Sequence, residues 1–257
     1  MKNKKLKAIL SITGYFLLLI AICFSASLVF HNTYYEQIYV SGSSMAPTLN
    51  GSDEEKSGSL VDFGIMDSHK AALKNIKRFS IVSTYYPDEN DYNLSTGKLL
   101  PGAKQKIKRV IALPGETFKI VNGELFVLKN KEFVLTPYTF MTNPSINEKY
   151  TGKDTPANLD SNGVDQGITL ANDEYWVLGD NRANSRDSGA INKAIKKDNL
   201  VGALVAIEGQ AKLKVSKYVC PNCGKSYSQG NMCDNCLSVL SPIYSLINKQ
   251  YQWPKYY

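Results

Sequence analysis

The sequence predicts a mainly β protein: one antiparallel β-sheet domain behind a single apolar helix, with a small cysteine-bearing module near the C-terminus. Three observations predict it. The run from Ala8 to Phe30 is apolar, broken only by Ser, Thr, Gly and Tyr. Short segments with strand-like alternation, separated by turn residues, recur from Tyr34 to Ile207. Four of the five cysteines fall into two Cys-x-x-Cys pairs.

The apolar run comes first. Residues 8–30 are long enough to span a hydrocarbon core of about 30 Å as a helix. Lys2, Lys4, Lys5 and Lys7 precede it. The positive-inside rule puts residues 1–7 in the cytoplasm and everything after Phe30 outside. A cleaved secretory signal is the alternative. The length of the run and the lack of a small-x-small site before His31 favour a retained anchor.

The β domain is expected over residues 34–210. Glu36 to Val40, Ser59 to Phe63 and Phe79 to Tyr86 read as strands. Gln105 to Leu113 is another, ended by the turn Pro114-Gly115. Thr117 to Val121, Asn122-Gly123 and Glu124 to Leu128 form a hairpin signal with a type I′ turn. Glu174 to Leu178 and Leu200 to Ile207 complete the set. Ser68 to Lys77 and Ala190 to Lys197 read as helical or irregular. Pro144 to Gln166 is polar and reads as a long surface loop.

The chemistry is constrained by what is scarce. The chain has two histidines, His31 and His69, and no His-Glu-x-x-His. Neither lies near a plausible nucleophile in sequence. A serine nucleophile still needs a base, and a neutral lysine can serve. A lysine in water has a pKa of about 10.4, and burial lowers it. Lys108 is flanked by Ile107, Val110, Ile111 and Ala112, so a half-buried strand could carry it out of water. A solvated lysine on a strand is the plain alternative.

Three segments carry a resemblance: Ser44-Met45-Ala46-Pro47-Thr48-Leu49, then Lys108-Arg109-Val110-Ile111-Ala112-Leu113-Pro114-Gly115-Glu116, then Gly179-Asp180-Asn181-Arg182 running on to Ser185-Arg186-Asp187-Ser188. In this order behind an anchor, they resemble bacterial type I signal peptidases of the Gram-positive style, over roughly Ala8 to Gly209. The resemblance implies an all-β catalytic fold and a Ser-Lys dyad. Ser44 would be the nucleophile and Lys108 the general base, with no cofactor for catalysis. Ser43 is the rival nucleophile. Ser185 would hydrogen-bond and orient the lysine. Asp187 would support the same loop, and Asp180 would pair with Arg109 beside Gly179. Gly42 stands where some members carry an oxyanion-binding hydroxyl, so Ser41, Ser43 or a backbone N–H would substitute. Gly189 stands where the family usually has Arg, and Arg186 is the candidate to compensate. The implied partners are signal peptides with small residues before the cut, the lipid bilayer and the secretion translocon. Ile38, Val40, Met45, Pro47 and Tyr86 are candidate pocket residues.

Cys220-Pro221-Asn222-Cys223 and Cys233-Asp234-Asn235-Cys236 lie outside that resemblance. Four thiolates at this spacing can close a tetrahedral zinc site. Residues 217–240 are too few to hold a core alone, so structural Zn would supply the folding energy. Disulfides are the rival, since the topology puts this module outside the cell. Cys23, in the anchor, reads as a small lipid-facing or packing residue. Residues 241–257 form a tail, and its stretch from Leu246 to Tyr257 is rich in Tyr, Trp and Lys and suits a membrane interface. The net charge of +7 raises nucleic acid as a partner, but the lysines are scattered and no basic-aromatic motif is present, so none is expected. A membrane-anchored zinc-ribbon binding protein with an inactive protease domain is the functional alternative. A self-cleaving repressor is a third, opposed by the anchor.

Overall fold

The computed structural model describes residues 2–52, 56–138 and 155–256. They fall into two compact units that divide at Glu36 and Gln37. The first is dominated by one helix, α1 (Lys2–Tyr34), longer at both ends than the predicted anchor. Within it, Ser11–Val29 is long and apolar enough to cross a membrane. Its large side chains, Phe16, Leu17, Leu18 and Phe24 among them, are exposed, as lipid-facing groups would be. The hydroxyls of Ser25 and Thr33 donate to Ala21 O and Val29 O one turn back, so they need no outside partner.

The strands are β1 (Tyr35–Tyr39), β2 (Leu60–Asp67), β3 (Ile81–Thr84), β4 (Tyr92–Asn93), β5 (Lys98–Leu99), β6 (Lys106–Ala112), β7 (Thr117–Val121), β8 (Glu124–Lys129), β9 (Glu132–Leu135), β10 (Ile168–Thr169), β11 (Glu174–Leu178), β12 (Ile195–Lys196), β13 (Leu200–Val219), β14 (Ser226–Tyr227) and β15 (Ser241–Tyr256). Two short helices intervene, α2 (Lys70–Lys74) and α3 (Ser188–Ile191). The main sheet runs β1-β2-β13-β3-β6-β11-β12, with β14 and β15 also paired to β13. A second sheet runs β10-β7-β8-β9. The predicted hairpin forms, and Asn122 and Gly123 both take positive φ, 51° and 77°, as a type I′ turn requires.

Alternation fills the core. Ile111 and Ala112 of β6 and Trp176 and Leu178 of β11 meet Phe118, Ile120, Leu125 and Val127 of the second sheet. Phe118 and Trp176 pack as tilted rings 5.4 Å apart. A separate cluster joins Val40, Met45, Leu49, Met66, Ile81 and Leu204. Val40, Met45 and Tyr86, expected to line a pocket, are instead fully buried core residues. Ile38 is half-buried and Pro47 exposed.

The largest difference from the sequence expectation lies at the C-terminus. β13 does not stop near Ile207 but continues to Val219. The tail is a strand, β15, paired to β13 from Ala206↔Tyr256 to Val219↔Ser241. The reason is an open edge. β3 pairs with β13 only between Leu200 and Ala203, and unpaired strand edges are a liability. β15 takes the edge that β3 leaves, and Tyr251 packs edge-on to Phe63 at 5.2 Å. The predicted surface loop over residues 144–166 lies partly outside the described residues. Its described end is built by Asp160, whose Oδ1 accepts from the N–H groups of Asn162 and Val164.

Candidate active site

Ser44 is set by the apolar residues of its own motif. Met45 and Leu49 are buried and share one turn, with Leu49 N–H donating to Met45 O at 3.0 Å. Sinking these two into the cluster beneath β2 and β3 leaves Ser44 half-buried at the surface of the sheet.

Lys108 comes from the middle of the main sheet. β6 lies between β3 and β11, with Lys108 opposite Val82. The lysine is 3% exposed. Its Nζ lies 2.8 Å from Ser44 Oγ and donates to Ile107 O at 2.9 Å. Desolvation pushes its pKa down from 10.5 to about 8, against the pull of Asp187 and Asp180 and helped by Lys106 and Arg182. The Ser44 contact serves both states: an ammonium donates to Oγ, and a neutral amine accepts the hydroxyl proton.

The loop after β11 closes the site. Asp180 takes a two-pronged bond from Arg109, Nε to Oδ1 at 2.8 Å and Nη2 to Oδ2 at 2.6 Å. The third Arg109 arm donates to Phe79 O, so the guanidinium braces β6 against this loop, as expected. Both charges are buried. Gly179 is there for space: a Cβ would lie 2.4 Å from Ser44 O and 2.3 Å from Ser185 Oγ. Asp187 accepts from Gly179 N–H at 3.0 Å and caps α3 through Gly189 and Ala190 N–H.

Two expectations are corrected. Ser185 does not bond the lysine. Its Oγ is buried without a hydrogen-bond partner, because the described bonds of Lys108 Nζ go to Ser44 and Ile107 while Ser185 packs against Gly179. Arg186 does not compensate for Gly189. It reaches outward to Asp88 at 2.6 Å, and Arg182 is the residue that pairs with Asp187, at 2.7 Å. The space over Gly189 is partly taken by that same Arg182 guanidinium.

Sequence reasoning missed two asparagines. Asn181 N–H donates to Ser44 O at 3.0 Å, and its Nδ2 to Ser43 O at 3.0 Å. Asn184 Nδ2 donates to Ser43 Oγ at 2.9 Å. Together they clamp the serine turn to the loop. The only signal was that Asn181 sits inside the Gly-Asp-Asn-Arg motif with a side chain able to reach a carbonyl.

The four cysteines form a second site. The Sγ atoms of Cys220, Cys223, Cys233 and Cys236 all lie within 4.8 Å of one another, and Cys223 and Cys233 are 3.7 Å apart. A tetrahedron with Zn–S near 2.3 Å has S···S edges of about 3.8 Å, so the donor set fits zinc. Two like turns present them. Gly224 N–H donates to Cys220 O and Leu237 N–H to Cys233 O, both residues at positive φ. Burial raises the Cys220 thiol, but hydrogen bonds from Ser238 and from the Cys223 and Asn222 N–H groups hold it down at about 6. A thiolate is the form that binds metal. The apolar core here is only Cys220, Cys233 and Leu240, with Tyr218 and Tyr227 against it.

Comparison with known proteins places the catalytic unit. A family profile described as signal peptidase, peptidase S26, matches residues 12–207. Signal peptidase I P of Bacillus subtilis subsp. natto is 30% identical over 143 residues, covering 53% of this chain and 69% of that one. Signal peptidase I U of Bacillus subtilis is 26% identical over 209 residues, covering 78% and 87%. A crystal structure of a signal peptidase I from Enterococcus faecalis V583 aligns with 51% of this chain and 97% of its own, at 22% identity and a TM-score of 0.34. The chain belongs to the signal peptidase family, peptidase S26.

Proposed function

We propose that this signal peptidase works with Ser44 as nucleophile and Lys108 as general base, cutting N-terminal signal peptides from exported preproteins at the outer face of the membrane. The observation that carries this reading is the 2.8 Å contact between Lys108 Nζ and Ser44 Oγ, made where burial holds the lysine pKa near 8. A substantial neutral fraction is then present at mildly alkaline pH. The neutral amine takes the Ser44 proton as Oγ attacks the scissile carbonyl, then returns it to the leaving amine. Water hydrolyses the acyl-enzyme with the same lysine as base. The Ser44 N–H supplies one oxyanion donor. Gly42 has no side chain and its N–H is taken by Ser52 O. Ser43 Oγ accepts from Asn184, which leaves its own proton to donate as the second. Asp180, Arg109, Asp187 and Gly179 hold the two strands and the loop in register. Ser185 packs beside them, against Gly179.

The lysines ahead of the apolar span of α1 put the N-terminus in the cytoplasm and the β domain outside. A substrate that binds there is extended, with small residues before the cut, and pairs with a sheet edge. The secretion translocon is the neighbour that would deliver it. The Cys220, Cys223, Cys233 and Cys236 set holds one structural zinc, which orders the ribbon and takes no part in catalysis. The test is a fluorogenic precursor peptide on purified protein. Ser44→Ala and Lys108→Ala should each abolish cleavage with the fold intact, and Ser43→Ala should retain it. Full activity in Ser44→Ala would sink the assignment.

A further inference from the structure

The ribbon is not held by its β13–β15 stem alone. Its first turn, between Cys220 and Cys223, rests on a second part of the chain, the bend that follows β5. Gly102 N–H donates to Pro221 O at 3.1 Å. A Cβ on Gly102 would lie 2.4 Å from Pro221 Cβ and 2.7 Å from its Cα, so the two backbones touch where only glycine fits. On the other side of the bend, Pro101 lies against the Gly224 position, 3.5 Å from where a Cβ would stand.

That bend leads directly into the strand of Lys108. Ala103 N–H donates to Leu100 O, and Leu100 N–H to Asp91 O at 2.7 Å. Asp91 is 1% exposed. It forms an ion pair with Lys106, the first residue of β6, and accepts from Tyr86 N–H at 2.6 Å. Tyr86 O–H in turn donates to Arg186 O at 2.6 Å, in the loop that carries Asp187. A continuous set of packed and hydrogen-bonded groups therefore runs from the cysteine turn to both halves of the site.

We infer that the metal-closed ribbon is a brace for the segment entering the catalytic-lysine strand: zinc bound by the four cysteines shapes the Pro221 turn, and that turn pins Pro101-Gly102. This rests on the zinc reading above. The ribbon has too small a core to keep the turn without metal, so loss of metal frees the bend as well as the ribbon. Residues 208–257 lie beyond the family match, so the brace would tie a segment outside the matched region to one inside it.

Amide hydrogen exchange on the full chain in detergent micelles, with metal content measured on the same samples, tests it. Wild-type protein should hold one zinc per chain and protect residues 98–106. Cys236→Ser should lose the zinc and exchange that segment at least about tenfold faster, while residues 117–129 of the second sheet stay unchanged. Gly102→Val should keep the zinc yet loosen the same segment, and Gly102→Ala should do so to a smaller degree. If both Gly102 variants and Cys236→Ser leave residues 98–106 as protected as in wild type, the brace is refuted. If wild type holds no zinc but Gly102→Val still loosens the bend, the contact stands, and the metal reading and the metal dependence of the brace both fail. Loosening throughout the chain, residues 117–129 included, would also refute a local brace.

Discussion

Lys108 and Cys220 are both buried, at 3% and 0% exposure, but their surroundings differ in kind. Lys108 sits in a large apolar sheet, and every charge near it has a counterpart: Arg109 with Asp180, Arg182 with Asp187, Lys106 with Asp91. Cys220 sits in a module whose own apolar core is three residues. In the first region the fold comes from burial, and burial then tunes the chemistry. In the second the proposed metal would supply the fold, because so small a core cannot hold it alone. The difference teaches that a perturbed pKa means different things in the two places. For Lys108 it is the property that the proposed role of base needs. For the cysteines it follows from how they hydrogen-bond to one another and to their turns: Cys220 and Cys233 are lowered, while Cys223 and Cys236 are raised.

The sharpest way to break this comparison is to remove the dyad. Ser44→Ala or Lys108→Ala should lower kcat/KM on a precursor peptide by at least about a thousandfold. Ser43→Ala should lose only about a hundredfold, the scale of one oxyanion donor, and so keep measurable cleavage. Comparable loss in all three would mean that the turn, rather than the hydroxyl of Ser44, matters.

The charge pairs come next. Asp180→Ala leaves the Arg109 guanidinium buried without its carboxylate, which should cost about 3–5 kcal/mol. Urea unfolding in micelles reads it. A loss below about 1 kcal/mol would show that water reaches the pair and that this region is less dry than its geometry.

Much of this was legible in the sequence, and the reason is local. Ser44 and Lys108 are each flanked by apolar residues that drag them to a fixed place: Met45 and Leu49 for the serine, Val110 and Ile111 for the lysine. Cys-x-x-Cys pairs likewise announce their turns. What was not legible is how separate pieces meet. β15 was read as a free tail, because Ser241 to Tyr256 shows strand character but nothing in it names a partner. Its partner, β13 beyond Ile207, was underestimated in length, although Lys212-Leu213-Lys214-Val215 alternates. Arg182 rather than Arg186 pairs with Asp187 because the loop folds back on itself, and sequence distance does not reveal that. Gly102 carries no motif at all, and the Cys-x-x-Cys pair around Pro221 names no partner for it.

A smaller effect separates stability from activity. Lys108 has a lower pKa folded than unfolded, from 10.5 down to about 8. Between those values the unfolded chain holds a proton that the folded chain releases. Stability therefore falls as pH drops through that window, and the full penalty applies below about pH 8. Lys108→Met should be inactive yet more stable than wild type at pH 7 by about 1–3 kcal/mol. The gain should vanish above about pH 10.5. A destabilised Lys108→Met at pH 7 would mean that the lysine is better satisfied than its burial implies.

The smallest expected effect is on the other side of the comparison. Cys236→Ser should release the zinc and open residues 220–240 to protease. Cleavage of a short peptide should change by only a few-fold, since the dyad itself has no atom in the ribbon. A thousandfold loss would make the ribbon part of the catalytic centre and erase the distinction between the two regions.

The central claim is that burial turns Lys108 into a base, and the pH dependence of kcat/KM on a short precursor peptide tests it most directly. The rate should rise with a single midpoint near pH 8 and level off above about pH 9.5, because the free enzyme's essential base sets that limb. A rate still climbing past about pH 10.5, the range of an unperturbed lysine, would contradict it.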